Sequence, residues 1–127
     1  FDEKDINIGD VLEIGDTRLQ ISQPRIPCYK VGIKMNKREF PKIFSKSGLL
    51  GSYLRVIQEG TINIGDEIKI TRNNDQTMSV FNIAKLLFDD INNKDEMKMA
   101  LGIKLLSEEV KEKFRERLMK MGDFDAL

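Results

Sequence analysis

A nine-residue phrase that occurs twice in the chain constrains its fold more than any other feature. It reads INIGDVLEI at residues 6–14 and INIGDEIKI at residues 62–70. In each copy the Gly-Asp pair predicts a turn or bulge, and the apolar alternation that follows predicts a strand with one buried face. Two further strands are predicted at residues 17–22 and 53–57. Short strands separated by such turns indicate a closed or nearly closed antiparallel barrel, with the two copies as similar corners.

After about residue 75 the apolar residues recur at helical spacing instead of alternating. They predict a first helix over Ser79–Ile91 and a second over Asp95–Leu106 that is weakened by Gly102. A third helix is predicted to begin after Ser107 and to end before Gly122, with acidic residues in its first turn. Serines cap the first and third helices, and glycine is common just past a helix end.

Cysteine and histidine usage excludes several kinds of chemistry. The chain of 127 residues has one cysteine and no histidine. This excludes Ser-His-Asp and Cys-His catalytic pairs, histidine metal sites and a CxxC zinc site. A single cysteine predicts a reducing cytoplasm, and no apolar run approaches the roughly 20 residues that a membrane helix needs. Any chemistry must use a thiolate, carboxylates, Arg, Lys, Tyr or a bound cofactor.

The chain has a formal net charge of zero, but its positive charge is concentrated in one block. Residues 17–56 carry nine bases and one acid, whereas the segments before and after this block are both net acidic. Summed positive charge attracts phosphates and similar anions, so the block predicts an anion-binding face. The alternative is a solvated surface, which we favour for Lys34, Lys37 and Lys42.

The single cysteine lies inside this block, in the stretch ISQPRIPCYK. Pro24 and Pro27 stiffen the backbone, and the flanking cations are Arg25 and Lys30. If Pro27 begins a helical turn, the helix dipole and both cations lower the pKa of the Cys28 thiol. The pattern therefore favours a reactive thiolate or a metal ligand over a small buried apolar residue.

The run QPRIPCYK at residues 23–30, followed by FSKSGLLGSYLRVIQEGTINIGDEIKI at residues 44–70, resembles the MOSC-domain family, the molybdenum cofactor sulfurase C-terminal domain. The trailing helices resemble the YiiM-type branch, which has a three-helix C-terminal extension. The resemblance implies a mainly β fold, with a MOSC-type β-barrel domain at residues 1–75 and a three-helix module at residues 76–127. It also implies a family segment before residue 1, without which the barrel is incomplete at its N-terminus.

The resemblance further implies a molybdenum cofactor, a molybdopterin, with Cys28 as catalytic residue and metal ligand. Gln23, Arg25, Lys30 and Arg55 match positions that we assign to cofactor binding. The implied reaction is the reduction of small N-hydroxylated compounds, such as hydroxylated purine bases, with electrons from a redox protein. The alternative is a sulfur carrier with a persulfide on Cys28.

A third interpretation is a nucleic-acid-binding barrel, which the basic block alone would allow. It does not explain why prolines and cations frame the cysteine, so it is the least favoured. The role of the helical module stays open between docking a redox partner and forming a homodimer.

Overall fold

The computed structural model describes residues 4–26 and 51–123. The strands are β1 (Val11–Ile14), β2 (Thr17–Pro24), β3 (Ser52–Gln58) and β4 (Ile68–Thr71). They form one antiparallel sheet in the order β3-β2-β1-β4. The helices are α1 (Val80–Phe88), α2 (Lys94–Leu101) and α3 (Glu108–Lys120). The predicted order of antiparallel strands followed by a three-helix module is confirmed. The sequence predicts a closed or nearly closed barrel, whereas the sheet that the described ranges form is open.

The two copies of the repeated phrase form turns of the same geometry, as predicted. In each copy the asparagine N–H donates to the aspartate carboxylate, at 2.9 Å from Asn7 to Asp10 and at 2.8 Å from Asn63 to Asp66. The aspartate N–H donates back to the asparagine carbonyl at 3.1 Å in both. The glycine before the aspartate has φ of 90° in the first copy and 91° in the second, a conformation that favours glycine. Local sequence alone is therefore sufficient for this turn.

The surroundings of the two turns differ completely. Ile8 of the first copy is buried in the core, whereas Ile64 of the second copy is fully exposed in the described part of the chain. Asp10 is likewise buried. The first turn is thus a core element, and the second lies at the surface formed by the described residues.

The sheet has one apolar face and one polar face. Its register pairs Leu12 with Leu19 and Ile21 with Leu54, so apolar residues meet apolar residues across the strands. The apolar face consists of Leu12, Ile14, Leu19, Ile21, Leu54, Val56, Ile68 and Ile70. The opposite face carries polar pairs such as Glu13 with Arg18, whose side chains form a salt bridge at 3.1 Å.

The first and third helices begin at the predicted caps. The side chain of Ser79 accepts from the Asn82 N–H, and that of Ser107 accepts from the Val110 N–H. These bonds satisfy amides that have no partner within their own helix.

The second helix is shorter than predicted. It begins at Lys94 and ends at Leu101, five residues before the predicted Leu106. Gly102 follows its last residue, and the chain then turns so that Ile103 and Leu106 are buried. Glycine weakens a helix. Burial of the Ile103 and Leu106 side chains in the turn stabilises the fold more than the further helical turn that the apolar spacing predicts.

The core joins the beginning of the chain to the helices. Ile6, Ile8 and Ile21 belong to the same buried cluster as residues from all three helices. The helical spacing of apolar residues predicts a buried stripe on α3 formed by Val110, Phe114, Leu118 and Met121. The first three are fully buried, and Met121 is partly buried against the same core. Methionines fill the core only in part, because Met78 and Met97 are buried but Met99 and Met119 are about half exposed. No helix in the described ranges has the length and apolarity to cross a membrane.

Arg117 ties α3 to the end of α1. Its Nη1 donates to the Leu86 carbonyl at 2.7 Å and its Nη2 to the Leu87 carbonyl at 2.6 Å. Carbonyls in the last turn of a helix lack partners within that helix, and this guanidinium supplies two donors. Burial lowers the pKa of Arg117 from its ordinary value. The side chain therefore acts as a structural cap between helices.

Candidate cofactor site at the end of strand β2

Strand β2 carries an irregularity at the point where it approaches the cysteine segment. Ile21 pairs with Leu54 and Gln23 pairs with Tyr53, which leaves Ser22 as the extra residue of a bulge. The two prolines of the segment follow, and Pro24 still pairs with Ser52 at the end of the strand. Bulges redirect the residues that follow them and increase local twist. The bulge therefore sets the direction in which the chain leaves the sheet.

The last residues of β2 are firmly held. Gln23 is 4 % exposed, and Pro24 is fully buried. The Gln23 side chain donates from Nε2 to the Pro24 carbonyl at 3.3 Å. The Ser22 hydroxyl donates to the Tyr53 carbonyl at 3.2 Å. A buried side chain and a proline with fixed φ leave this backbone little freedom.

Arg25 is the first exposed residue after the strand. Its N–H donates to the Gly51 carbonyl at 3.0 Å. This bond joins the residue that follows β2 to the residue that precedes β3 and fixes the backbone there. Among residues 4–26 and 51–123 its guanidinium forms no ion pair. An exposed cation on an immobilised backbone fits the binding of an anion such as a phosphate.

Arg55 lies elsewhere on the same pair of strands. It pairs with Gln20 on the polar face of the sheet, and its Nη1 donates to the Gln20 Oε1 at 2.7 Å. Arg25 is five positions beyond Gln20, which corresponds to about 16 Å in a regular strand. The structure thus brings Gln23 and Arg25 together at the end of the strand and places Arg55 farther along the sheet.

Cys28 and Lys30, together with Lys34, Lys37 and Lys42, lie outside the described residues. Their roles therefore stay predictions. The donor set still fits a molybdenum cofactor in kind, because a thiolate is a soft ligand and arginines suit a phosphate. In the described ranges, no group of three or more His, Cys, Asp or Glu side chains could hold a metal.

One contact near the site was not anticipated from the sequence. The Ser107 N–H, at the start of α3, donates to the Ser22 carbonyl at 3.1 Å. The serine cap of α3 is visible in the sequence, but its neighbour in space is 85 residues away. No local pattern indicates such a contact.

A four-stranded antiparallel sheet that shares its core with three C-terminal helices defines a small mixed β and α architecture. The MOSC domain family model matches residues 1–69, and the YiiM-like, 3-alpha helix domain model matches residues 78–120. The first match covers more than half of the chain. The chain therefore belongs to the MOSC domain family.

Similar proteins agree with this assignment. The crystal structure of YiiM from Geobacillus stearothermophilus superimposes with a TM-score of 0.84 at 31 % identity, over 93 % of this chain and 60 % of that one. The uncharacterized protein YflK of Bacillus subtilis (strain 168) is 28 % identical over 91 % of this chain and 52 % of its own length. A protein of Gibberella moniliformis named Reductase is 29 % identical over 67 % of this chain and 15 % of its own. The chain thus spans about half the length of YflK.

Proposed function

We propose that this chain is part of a molybdenum-cofactor protein that reduces N-hydroxylated compounds, such as hydroxylated purine bases, with Cys28 as the protein ligand of molybdenum. The observation that carries the proposal is the MOSC domain match over residues 1–69, which includes the single cysteine and the whole basic block. The similarity to a fungal protein named Reductase supports an oxidoreductase.

Arg25 is the residue best placed to bind the phosphate of the cofactor. Its backbone is fixed by Pro24 and Gly51, and its side chain is exposed. Gln23 supports the same backbone through its bond to the Pro24 carbonyl. Lys30 is proposed as a further cationic contact from beyond Cys28.

The chemistry follows from this donor set. When bound, molybdenum supplies a centre for two-electron transfer coupled to the transfer of oxygen. In the net reaction R–NHOH takes up two electrons and two protons, the N–O bond breaks, and R–NH2 and water form. A separate redox protein supplies the electrons. The thiolate of Cys28 holds the metal, and the cations of the basic block bind the anionic end of the cofactor.

A persulfide carrier is the second candidate function. It uses the same cysteine in the same cationic stretch and requires no bound metal. In that function Cys28 would carry a persulfide, and the outer sulfur would pass to a nucleophilic acceptor and leave the Cys28 thiolate. Nucleic-acid binding is less favoured, because two arginines of the basic block are engaged within the sheet: Arg18 pairs with Glu13, and Arg55 bonds to Gln20.

The first test is the composition of the complete protein that contains this chain. After expression in a host that makes molybdenum cofactor, we expect about one molybdenum per chain and reduction of an N-hydroxylated purine when a chemical reductant is supplied. Metal analysis, pterin fluorescence and product chromatography measure these quantities. Cyanide-releasable sulfur on Cys28 without molybdenum would instead establish the carrier function. Finding neither would refute both candidates.

A second prediction separates the two arginines. A lysine cannot reproduce the two parallel hydrogen bonds that a guanidinium forms with a phosphate. We expect Arg25→Lys to weaken cofactor retention by about tenfold, the equivalent of roughly 1.4 kcal/mol. Arg55→Lys should weaken it less, because its guanidinium is already bonded to Gln20. Pterin content after dialysis measures the difference.

The control for this pair is the triple change of Lys34, Lys37 and Lys42 to glutamine. Since these lysines are expected to face solvent, the triple variant should alter mainly the salt dependence of retention. Equal pterin content in wild type and Arg25→Lys would show that the anion site does not include Arg25.

A further inference from the structure

The start of helix α3 contacts the bulge of strand β2 directly. The Ser107 N–H donates to the Ser22 carbonyl at 3.1 Å. The hydroxyl of the same serine accepts from the Val110 N–H at 3.3 Å and so caps the helix. One residue therefore joins the helical module to the extra residue of the bulge.

The backbone just before this contact is also fixed. The Ile21 N–H donates to the Asp10 carbonyl at 2.9 Å, and the Gly9 N–H donates to the Ile21 carbonyl at 2.8 Å. Ile21 itself is fully buried in the core that the helices share. The Ser22 hydroxyl donates to Tyr53 on the neighbouring strand. The bulge is thus held by the sheet, by the first turn and by α3.

The bond from Ser107 matters because a bulge interrupts the ladder of the sheet. Buried carbonyls in a sheet need a partner, and a bulge residue does not find one in the regular pairing. Here the partner comes from the helical module. Gln23, Pro24 and Arg25 follow directly, so their direction depends on the conformation that the bulge adopts.

We infer that the three-helix module positions the candidate cofactor site, with Ser107 as a positioning residue that holds the β2 bulge and so aims Arg25. The identity of the site rests on the proposed function, whereas the mechanical coupling does not. This assigns the helices a role in the site itself.

A matched pair of substitutions at one position tests the inference. Ser107→Ala removes the capping hydroxyl but keeps the backbone N–H that donates to the Ser22 carbonyl. Ser107→Pro removes both, and the observed φ of −60° and ψ of 148° suit proline. Ser79→Ala, which removes the equivalent cap of α1, controls for the loss of a helix cap alone.

The direct measurement is hydrogen exchange at the Arg25 amide in the complete protein. Loss of one hydrogen bond at the bulge is expected to accelerate this exchange by about fivefold in Ser107→Pro. Ser107→Ala and Ser79→Ala should stay within about twofold of wild type. In the cofactor-loaded enzyme, kcat should fall about fivefold in the proline variant alone.

The outcomes separate the inference from the proposed function. Faster exchange at Arg25 in the proline variant supports the coupling even if the protein holds no molybdenum. Equal exchange in the proline and alanine variants overturns it. If Ser107→Pro does not fold, hydrogen exchange of the wild-type protein in low concentrations of urea takes its place. The Ser107 and Arg25 amides are then expected to open together, and exchange of the Ser107 amide while the Arg25 amide stays protected would overturn the inference.

Discussion

Replacement of Asp10 by alanine is expected to lower the free energy of unfolding by roughly 2–6 kcal/mol, because two backbone amides lose their acceptor at about 1–3 kcal/mol each. Asp10 is completely buried. Its Oδ1 accepts from the Asn73 N–H at 2.8 Å, and its Oδ2 accepts from the Asn7 N–H and from Arg72 Nη1, both at 2.9 Å. The carboxylate thus connects the first turn of the chain to the segment after β4.

The cost arises mainly from the groups that are left behind. The alanine variant would leave two backbone amides without acceptors, and an unsatisfied buried donor costs about 1–3 kcal/mol. The salt bridge itself contributes less, because the side chain of Arg72 is 49 % exposed. The loss should therefore persist at high salt.

The second copy of the repeated phrase provides the matched control. Asp66 accepts from the Asn63 N–H in a turn of the same geometry, but that turn is at the surface. Asp66→Ala should cost less than about 1 kcal/mol, as expected for an exposed hydrogen bond. Urea denaturation with equal m-values measures both losses. Similar losses at the two positions would show that burial of the first turn is not what stabilises it.

Replacement of Cys28 by alanine is expected to produce the largest change in activity. We expect loss of bound molybdenum and a fall of at least about 100-fold in the reduction of an N-hydroxylated base. Removal of groups that merely orient metal ligands already costs about 10- to 100-fold, and Cys28 is proposed as the ligand itself. The substitution removes one sulfur atom and changes the side-chain volume little, so the variant should still fold.

Two further measurements make this result specific. Circular dichroism and the midpoint of urea denaturation should match those of the wild type, which shows that the fold is retained. Cys28→Ser replaces a soft sulfur ligand with a hard oxygen, so it should also lose molybdenum. Retained metal together with unchanged reduction in Cys28→Ala would remove the cysteine from the site.

Local features of the fold could be predicted from the sequence because their causes lie within a few residues. The turn of each repeated phrase depends on an asparagine, a glycine and an aspartate in a row of four, and both copies fold alike. The serine caps of α1 and α3 and the buried stripe of α3 have the same local origin.

Features that depend on distant neighbours could not be predicted. Gly102 indicates a weak point of α2, but the sequence does not show that Ile103 and Leu106 are buried in a turn, where the helix has already ended. Arg25 and Arg55 looked alike as cations of one basic block. Register placed Arg55 beside Gln20 and left Arg25 at the end of β2.

The order of strands and helices and the geometry of the repeated turn can be predicted from the sequence, since both depend on residue type and short spacing. Which copy of the repeated turn is buried depends on tertiary packing, because identical residues take their energies from what packs against them. Tertiary packing likewise decides that the α3 cap supports the β2 bulge, through a hydrogen bond between residues 22 and 107. A backbone donor is present at almost every position, so its partner is chosen by packing and not by residue type.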